Sequence, residues 1–273
     1  MRYAVFGHPV SHSLSPKVHR LFAEQCGIAV QYDAIDASGA SFHSALDDFF
    51  QTGGHGCNVT LPNKTLAYVY ASTHTPAARH SGAANMLTKL AGGGVCADNT
   101  DGAGFILDLK NRCRLSLTGL RVLLVGAGGA ARNCVHAILA QQPSELMICN
   151  RTLSRAEEVV ELCQSPKVSA MSCLALATLG AFDCIVHASS MSAYRLVPDL
   201  PLSLVHQDTV VYDLFYDTQQ TTTCLSWAMS AGAKRCFDGL GMLVEQAAIA
   251  FDHWHGHRPE TQRILQQLRG KTT

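Results

Sequence analysis

One stretch limits what this chain can fold into more than any other: Arg121-Val-Leu-Leu-Val-Gly-Ala-Gly-Gly-Ala-Ala-Arg132. A short apolar run, Val122 to Val125, breaks into Gly126, Gly128 and Gly129. Beyond Ala130, the apolar residues Val135, Ile138 and Leu139 recur at helical spacing. Strand, glycine turn and helix in that order give G-x-G-x-x-A a physical meaning. Gly126 permits the tight turn, Gly128 lets the backbone approach a pyrophosphate, and Ala131 is small enough for close packing of helix on strand. The free N–H groups and the dipole of the new helix then favour phosphate. A turn of purely structural purpose uses the same glycines, so the flanking sequence has to decide.

The next segment, Glu145 to Cys149, reads as a second buried strand, and it ends in Asn150-Arg151-Thr152-Leu153-Ser154-Arg155. NAD-binding domains usually place an acidic residue at this strand end, to accept hydrogen bonds from the ribose hydroxyls. None stands here. Arg151 and Arg155 flank small hydroxyl residues instead, and guanidinium groups suit a 2′-phosphate. The spacing argues for NADP over NAD. The alternative is a solvated helix start in which Glu157 and Glu158 pair with the arginines.

With 273 residues, the chain can bury a large core and form two domains. Its 21 basic and 21 acidic side chains balance, and no run of either sign offers a footprint for nucleic acid or an anionic membrane. No apolar segment is long enough to span a bilayer, and the strand-like N-terminus lacks the apolar region of a signal peptide. Eleven cysteines, an odd number without a C-x-x-C, point to reduced thiols in a cytoplasmic protein. The densest histidine group, His253, His255 and His257, has a spacing that shares no helix face. No metal site is expected from it.

Along the chain, Tyr3 to Phe6 is a strand. A helix follows with Ser15 as its cap and Pro16 in its first turn, turning Val18, Leu21 and Phe22 inward. Ala29 to Ile35 is a strand, Phe42 to Phe50 a helix stopped at Gly53-Gly54, and Gly56 to Thr60 a strand running into Leu61-Pro62-Asn63-Lys64. Asn85 to Leu90 and Val95-Cys96 flank a glycine-rich hairpin. Asp98-Asn-Thr-Asp101-Gly102 caps a helix that leads into the nucleotide-binding unit. Phe182 to His187 and Val210 to Leu214 add strands, and Leu240 to Trp254 carries a helical apolar stripe. The expected class is α/β, with two domains that each have a mostly parallel sheet and flanking helices. The second is a Rossmann-type NADP-binding domain. A cleft between the domains is the expected ligand site.

Polar residues recur at strand ends and loop tips of the first unit: Ser13, Ser15, Asn58, Thr60, Lys64, Asn85, Asp98 and Asp101. They suit a small polyhydroxylated ligand, and equally, for Ser15 and Asp98, caps and turns. Six motifs then appear in one order: Ser13-Leu-Ser15-Pro16, Asn58-Val-Thr-Leu-Pro-Asn-Lys64, Asp98-Asn-Thr-Asp101-Gly102, Gly126-Ala-Gly-Gly-Ala130, Asn150-Arg-Thr152 and Asp238-Gly-Leu-Gly-Met242. In these the chain closely resembles the shikimate dehydrogenases, over essentially its full length.

The resemblance implies NADPH-dependent reduction of 3-dehydroshikimate to shikimate in aromatic amino-acid biosynthesis. It implies a substrate-binding catalytic domain of residues 1–101 plus 238–273 and an NADP-binding domain of 102–237. Ser13 and Ser15 would hold the substrate carboxylate. Thr60, Asn85, Asp101 and Gln246 would bind ring hydroxyls, with Tyr216 nearby, and Lys64 would be the acid/base, oriented by Asp101. Gly126, Ala127, Gly128, Gly129, Ala130, Asn150, Arg151, Thr152 and Arg155 would bind NADP, with Leu214 and Gly239 near the nicotinamide. The resemblance involves no nucleic acid or membrane and leaves a homodimer open. Five positions depart from the family pattern. His187-Ala-Ser-Ser190 replaces the usual Asn-Ala-Thr-Ser, Thr65 follows the lysine where an acid is common, Leu214 replaces a methionine, and Pro76 replaces an acidic residue of some members. The same fold also serves quinate/shikimate dehydrogenases of broader specificity. A dinucleotide-sensing protein without catalysis is the alternative outside enzymes.

Overall fold

The computed structural model describes residues 1–270. Two compact α/β units divide the chain, one of residues 1–104 and 243–273, the other of 105–242. The chain passes from one to the other inside helices; the sequence reading divided it at 101/102 and 237/238.

The first unit opens with β1 (Arg2–Gly7), α1 (Ser15–Cys26), β2 (Gln31–Asp36), α2 (Ala40–Gln51) and β3 (Gly54–Val59). It continues with α3 (Lys64–Tyr70), β4 (Thr73–His74), α4 (Pro76–Ser81), β5 (Met86–Lys89), β6 (Val95–Asp98) and the start of α5 (Asp101–Asn111). The sheet order is β2-β1-β3-β5-β6-β4. Only β5 runs against the others, because the glycine hairpin returns it antiparallel to β6. Phe42, Leu46, Phe49 and Phe50 of α2 close one face over Phe6, Cys57 and Leu87. The cap assigned to Ser15 is corrected: Ser15 is already in the helix, and Leu14, which precedes it, makes no side-chain cap bond. Leu21 is half-buried rather than inward, since the inward stripe of α1 is Val18, His19, Phe22 and Ala23. Gly54 does not stop α2. It begins β3, where a side chain would strike the Phe49 ring.

The second unit holds β7 (Arg121–Val125), α6 (Gly129–Ala140), β8 (Glu145–Asn150), α7 (Leu153–Cys163), β9 (Val168–Ser172), β10 (Cys184–His187), β11 (Val210–Asp213), α8 (Thr223–Ser230) and β12 (Arg235–Asp238). Then α9 (Leu240–His255) leads back to the first unit and α10 (Thr261–Leu268) follows. The sheet order of the second unit, β12-β11-β10-β7-β8-β9, is parallel throughout. Read from β7, this is the doubly wound Rossmann order, and the direction of winding reverses between β7 and β10. Strands β9 and β12, which the sequence reading did not find, are the two edges. Two apolar layers cover the sheet, one with Val122, Leu124, Val135 and Ile138, the other with Leu123, Ile185, Leu225 and Trp227.

A buried ion network adds to this unit. Arg112 donates to both oxygens of Asp108, at 2.5 Å for the shortest bond, and to the Asp238 carbonyl at 2.6 Å. Tyr212 donates to Asp108 at 2.6 Å. Among the described residues, no helix is long and apolar enough to cross a membrane.

Candidate active site

In the first unit the polar side chains gather because backbone bonds bring their segments together. The Ala84 N–H donates to the Lys64 carbonyl at 2.8 Å, Val59 N–H to the Asn85 carbonyl at 2.8 Å, and Asn85 N–H to the Asp98 carbonyl at 3.1 Å. Asn85 is thus fixed between the ends of β3 and β6, with Lys64 at the start of α3 and Asp101 at the start of α5. Lys64 Nζ donates to Asp101 Oδ2 at 2.5 Å. Asn85 Nδ2 donates to the other oxygen, Oδ1, at 2.8 Å. The carboxylate is 9 % exposed and the lysine side chain 21 %, so the pair is largely shielded from solvent while the lysine keeps a path to a ligand. The start of α5 also favours a negative side chain.

Gln246, from α9, joins this group: its Oε1 accepts from Asn85 Nδ2 at 3.1 Å. Thr100 was not singled out from the sequence. It is buried, accepts from Asn85 Nδ2 at 2.9 Å and donates to the Gln246 carbonyl at 3.2 Å. Gly104 was also missed. A Cβ there would lie 2.6 Å from the Cβ of Gln246, so glycine is what lets α5 lie against the Gln246 turn of α9. A glycine in a helix interior costs about 1 kcal/mol against alanine, and that cost was the available signal.

Ser13 and Ser15 lie in and after the loop that leaves β1. The Ser15 N–H donates to Ser13 Oγ at 3.3 Å, and Ser15 is buried while Ser13 is half-buried. Thr60 is half-buried at the end of β3, its N–H bonded to the Phe6 carbonyl at 2.8 Å. Asn58, by contrast, is a structural residue. It accepts from Tyr32 at 2.7 Å and donates to the Asn85 carbonyl at 3.1 Å. Asp98 accepts from Thr75 at 2.5 Å and from the Asn99 N–H at 2.7 Å, so it orders the turn before α5. Tyr216 belongs to the second unit, where burial, and then the charge of Asp238, push its phenol up.

The second unit carries the glycine turn at its switch point, between β7 and β10. Gly126 has φ +114°, and a Cβ there would meet the Ala188 carbonyl oxygen at 2.9 Å; both facts require glycine. Gly128 and Gly129 face open space. With Ala127 buried, Ala130 exposed and no described side chain capping the start of α6, the first N–H groups of that helix are left for an anion. Asn150 Nδ2 donates to the Thr152 carbonyl at 2.8 Å, closing the turn after β8. Arg151, Thr152 and Arg155 are exposed. Glu158 pairs with Arg132 at 2.8 Å rather than with Arg151 or Arg155. A glycine cradle, an open helix start and two exposed guanidinium groups that make no salt bridge among the described residues fit a phosphorylated dinucleotide.

The departure at His187 has a local explanation. His187 is fully buried, with Nδ1 at 3.0 Å from Asp213 Oδ1 and Nε2 at 2.7 Å from Ser189 Oγ. Asp213 also accepts from Ser192 and Thr222, both at 2.6 Å, and from the Phe215 N–H at 3.1 Å. His187, Asp213 and Cys224 are close enough to hold a metal ion. Yet both carboxylate oxygens are already engaged, and burial pushes the Cys224 thiol up, which leaves a hydrogen-bond network rather than a donor set. Leu214 and Gly239 are in backbone contact: a Cβ on Gly239 would overlap the Leu214 carbonyl.

The chain matches three family profiles in sequence order. Residues 5–87 match the shikimate dehydrogenase substrate binding domain, 108–214 shikimate / quinate 5-dehydrogenase, and 239–269 the shikimate 5'-dehydrogenase C-terminal domain. It is 43% identical over 269 residues to the shikimate dehydrogenase (NADP(+)) of Marinobacter nauticus, covering 98% of each chain. Among solved structures, an Ael1 enzyme from Pseudomonas putida superposes with a TM-score of 0.92 at 36% identity, over 98% of this chain and 97% of that one. The shikimate 5-dehydrogenase of Thermus thermophilus in complex with NADP(H) and shikimate gives 0.88 at 29% identity over 100% of both.

Proposed function

The chain belongs to the shikimate dehydrogenase family, and on that footing we propose that it reduces 3-dehydroshikimate reversibly to shikimate with NADPH, using Lys64 and Asp101 as its catalytic pair. The observation that carries the assignment of roles is the 2.5 Å contact between Lys64 Nζ and Asp101 Oδ2, set among Asn85, Thr100 and Gln246. The nicotinamide, when bound, supplies the hydride. Hydride arrival at a ketone builds negative charge on its oxygen. Lys64 donates a proton there and stabilises that charge before the proton moves. Asp101 holds the ammonium in place through one oxygen while Asn85 holds the other oxygen. In the reverse direction Lys64 accepts the proton of the substrate hydroxyl.

Ser13 and Ser15 bind the substrate carboxylate with hydroxyl donors. Thr60, Asn85, Asp101 and Gln246 bind its ring hydroxyls, and Tyr216 is a further substrate contact in this reading. Gly126 to Ala130 and the start of α6 hold the pyrophosphate. Asn150 and Thr152 meet the adenosine ribose, Arg151 and Arg155 the 2′-phosphate, and Leu214 and Gly239 the nicotinamide. We place the protein in the cytoplasm, in aromatic amino-acid biosynthesis; no disulfide forms among the described residues, as a reducing compartment would keep its thiols. Steady-state oxidation of shikimate and of quinate, each with NADP and NAD, tests the reading. Turnover should be fastest with shikimate and NADP. Comparable rates with quinate would make this a broader quinate/shikimate dehydrogenase, and no turnover with either substrate would leave a binding protein.

A further inference from the structure

Two cysteines meet at the edge of the dinucleotide-binding sheet. Cys149 is the penultimate residue of β8 and fully buried. Cys173 follows directly after β9 and is half-buried, so small molecules can reach it. The parallel register pairs Cys149 with Met171, which puts the side chain two positions beyond Met171 on the same face. The sulfurs lie 3.7 Å apart. Nothing in the proposed reduction uses either of them.

We propose that Cys149 and Cys173 form a peroxide-sensitive dithiol whose oxidation to a disulfide weakens NADP binding. The coupling to the cofactor rests on the reading of the glycine turn and the Asn150–Arg155 segment given above. The first step falls to Cys173. Shared hydrogen bonding with Cys149 holds its thiol down to about 7, against a usual 9.0, and raises that of Cys149 in turn. Thiolate, not thiol, is the nucleophile. Burial pushes Cys57 and Cys184 up instead, which leaves them inert.

The chemistry closes with hydrogen peroxide as oxidant. The Cys173 thiolate attacks one peroxide oxygen, the O–O bond breaks, and the departing hydroxide takes a proton to become water. Cys173 is then a sulfenic acid, oxidised by two electrons. The Cys149 sulfur, losing its proton, attacks the Cys173 sulfur, and the S–O bond breaks to release a second water. Two thiols and one peroxide give one disulfide and two waters, and a dithiol reductant reverses the step by exchange.

The link to NADP is mechanical. A disulfide needs its sulfurs about 2.05 Å apart, closer than the 3.7 Å between them, and in this proposal the ends of β8 and β9 draw together to close the gap. Cys149 is bonded directly to Asn150, and its carbonyl accepts the Gly126 N–H at 2.7 Å. The same movement therefore pulls on the glycine turn and on the turn that carries Arg151. Loss of one charge-assisted contact to a phosphate corresponds to roughly tenfold in Kd.

The full-length protein, reduced and then treated with hydrogen peroxide, tests both halves. Intact mass should fall by the two hydrogens lost, peptide mapping should join Cys149 to Cys173, and calorimetric titration should show NADP binding roughly tenfold weaker, restored by dithiothreitol. Cys173→Ser should keep its NADP affinity through the same treatment, which excludes the other cysteines as the cause. Absence of the Cys149–Cys173 link in oxidised wild-type protein overturns the proposal, as does a linked protein with unchanged NADP affinity. Failure of the reduced protein to bind NADP would instead break the cofactor reading and with it the coupling, while the mapped peptide decides the dithiol by itself.

Discussion

Lys64 and Asp101 are 37 residues apart in sequence and 2.5 Å apart in space, and each stands at the first position of its helix. Both are anchored at the backbone, where the Ala84 N–H donates to the Lys64 carbonyl at 2.8 Å and the Asp101 N–H to Asn99 Oδ1 at 3.2 Å. Asn85 fixes the second carboxylate oxygen at 2.8 Å. The geometry is that of an ammonium aimed by a carboxylate that cannot rotate away.

If Lys64 moves the proton, Lys64→Ala should lower kcat for shikimate oxidation by a factor of about 10²–10⁴, with KM changing far less. Asp101→Asn should reduce kcat and weaken shikimate binding together, because Asp101 is assigned both to the lysine and to a ring hydroxyl. Steady-state kinetics on folded variants decide it. A Lys64→Ala enzyme that turns over at the wild-type rate would falsify the acid/base assignment.

Arg151 and Arg155 are exposed, and the nearby Glu158 is taken by Arg132. Their replacement by alanine should therefore leave the thermal midpoint unchanged. The KM for NADP should rise roughly tenfold or more for each arginine, the value of one charge-assisted bond to phosphate, while the KM for NAD stays nearly constant. Parallel increases for both cofactors would count against the 2′-phosphate contact.

Much of this was legible because the relevant signals are local. Val122 to Gly129 announces strand, turn and helix within a short stretch, and Asn85 to Cys96 announces a hairpin through its glycines. Long-range roles were less visible. Asn58 reads as a strand-end ligand residue, yet its partners are Tyr32 and the Asn85 carbonyl, which only the sheet brings near. Thr100 has no signal of its own between Asn99 and Asp101; its role depends on Gln246, which α9 supplies. Strands β9 and β12 escaped because they are half-exposed edge strands, so their sequences lack the apolar run of a central strand. His187 marked a departure from pattern, but its partner Asp213 comes from strand pairing that the motif does not encode.

The Asp108–Arg112 pair gives a stability prediction independent of catalysis. Asp108 is almost fully buried, and Arg112 has only 19 % of its side chain exposed. Asp108→Ala would leave the guanidinium without its main counter-charge and free the Tyr212 hydroxyl that donates to Asp108 at 2.6 Å. Breaking a buried pair from one side costs about 3–5 kcal/mol. Urea unfolding of the variant should show a loss of that size. A loss below about 1 kcal/mol would mean that solvent reaches Arg112 and replaces the carboxylate.

His19 sets a pH dependence in the first unit. It is fully buried, stacked on Tyr32 at 4.1 Å and surrounded by Phe22, Phe251 and Trp254. Neither ring nitrogen has a well-formed hydrogen bond among the described residues. Burial lowers its pKa to about 3 from 6.5; nearby His255 adds to the effect, and Asn58 offsets part of it. Because the folded value lies below the unfolded one, the unfolded chain binds the proton more readily between these limits. The stability this site confers is complete above about pH 6.5 and is lost as pH falls toward 3. At pH 5 the loss amounts to about 2 kcal/mol. His19→Phe keeps the stacking and removes both the proton site and the unsatisfied N–H. Urea midpoints at pH 7.5 and pH 5 should then fall less for the variant than for the wild type, and the variant should be at least as stable at pH 7.5. Equal falls in both proteins would show that His19 is already protonated, or solvated, in the folded state.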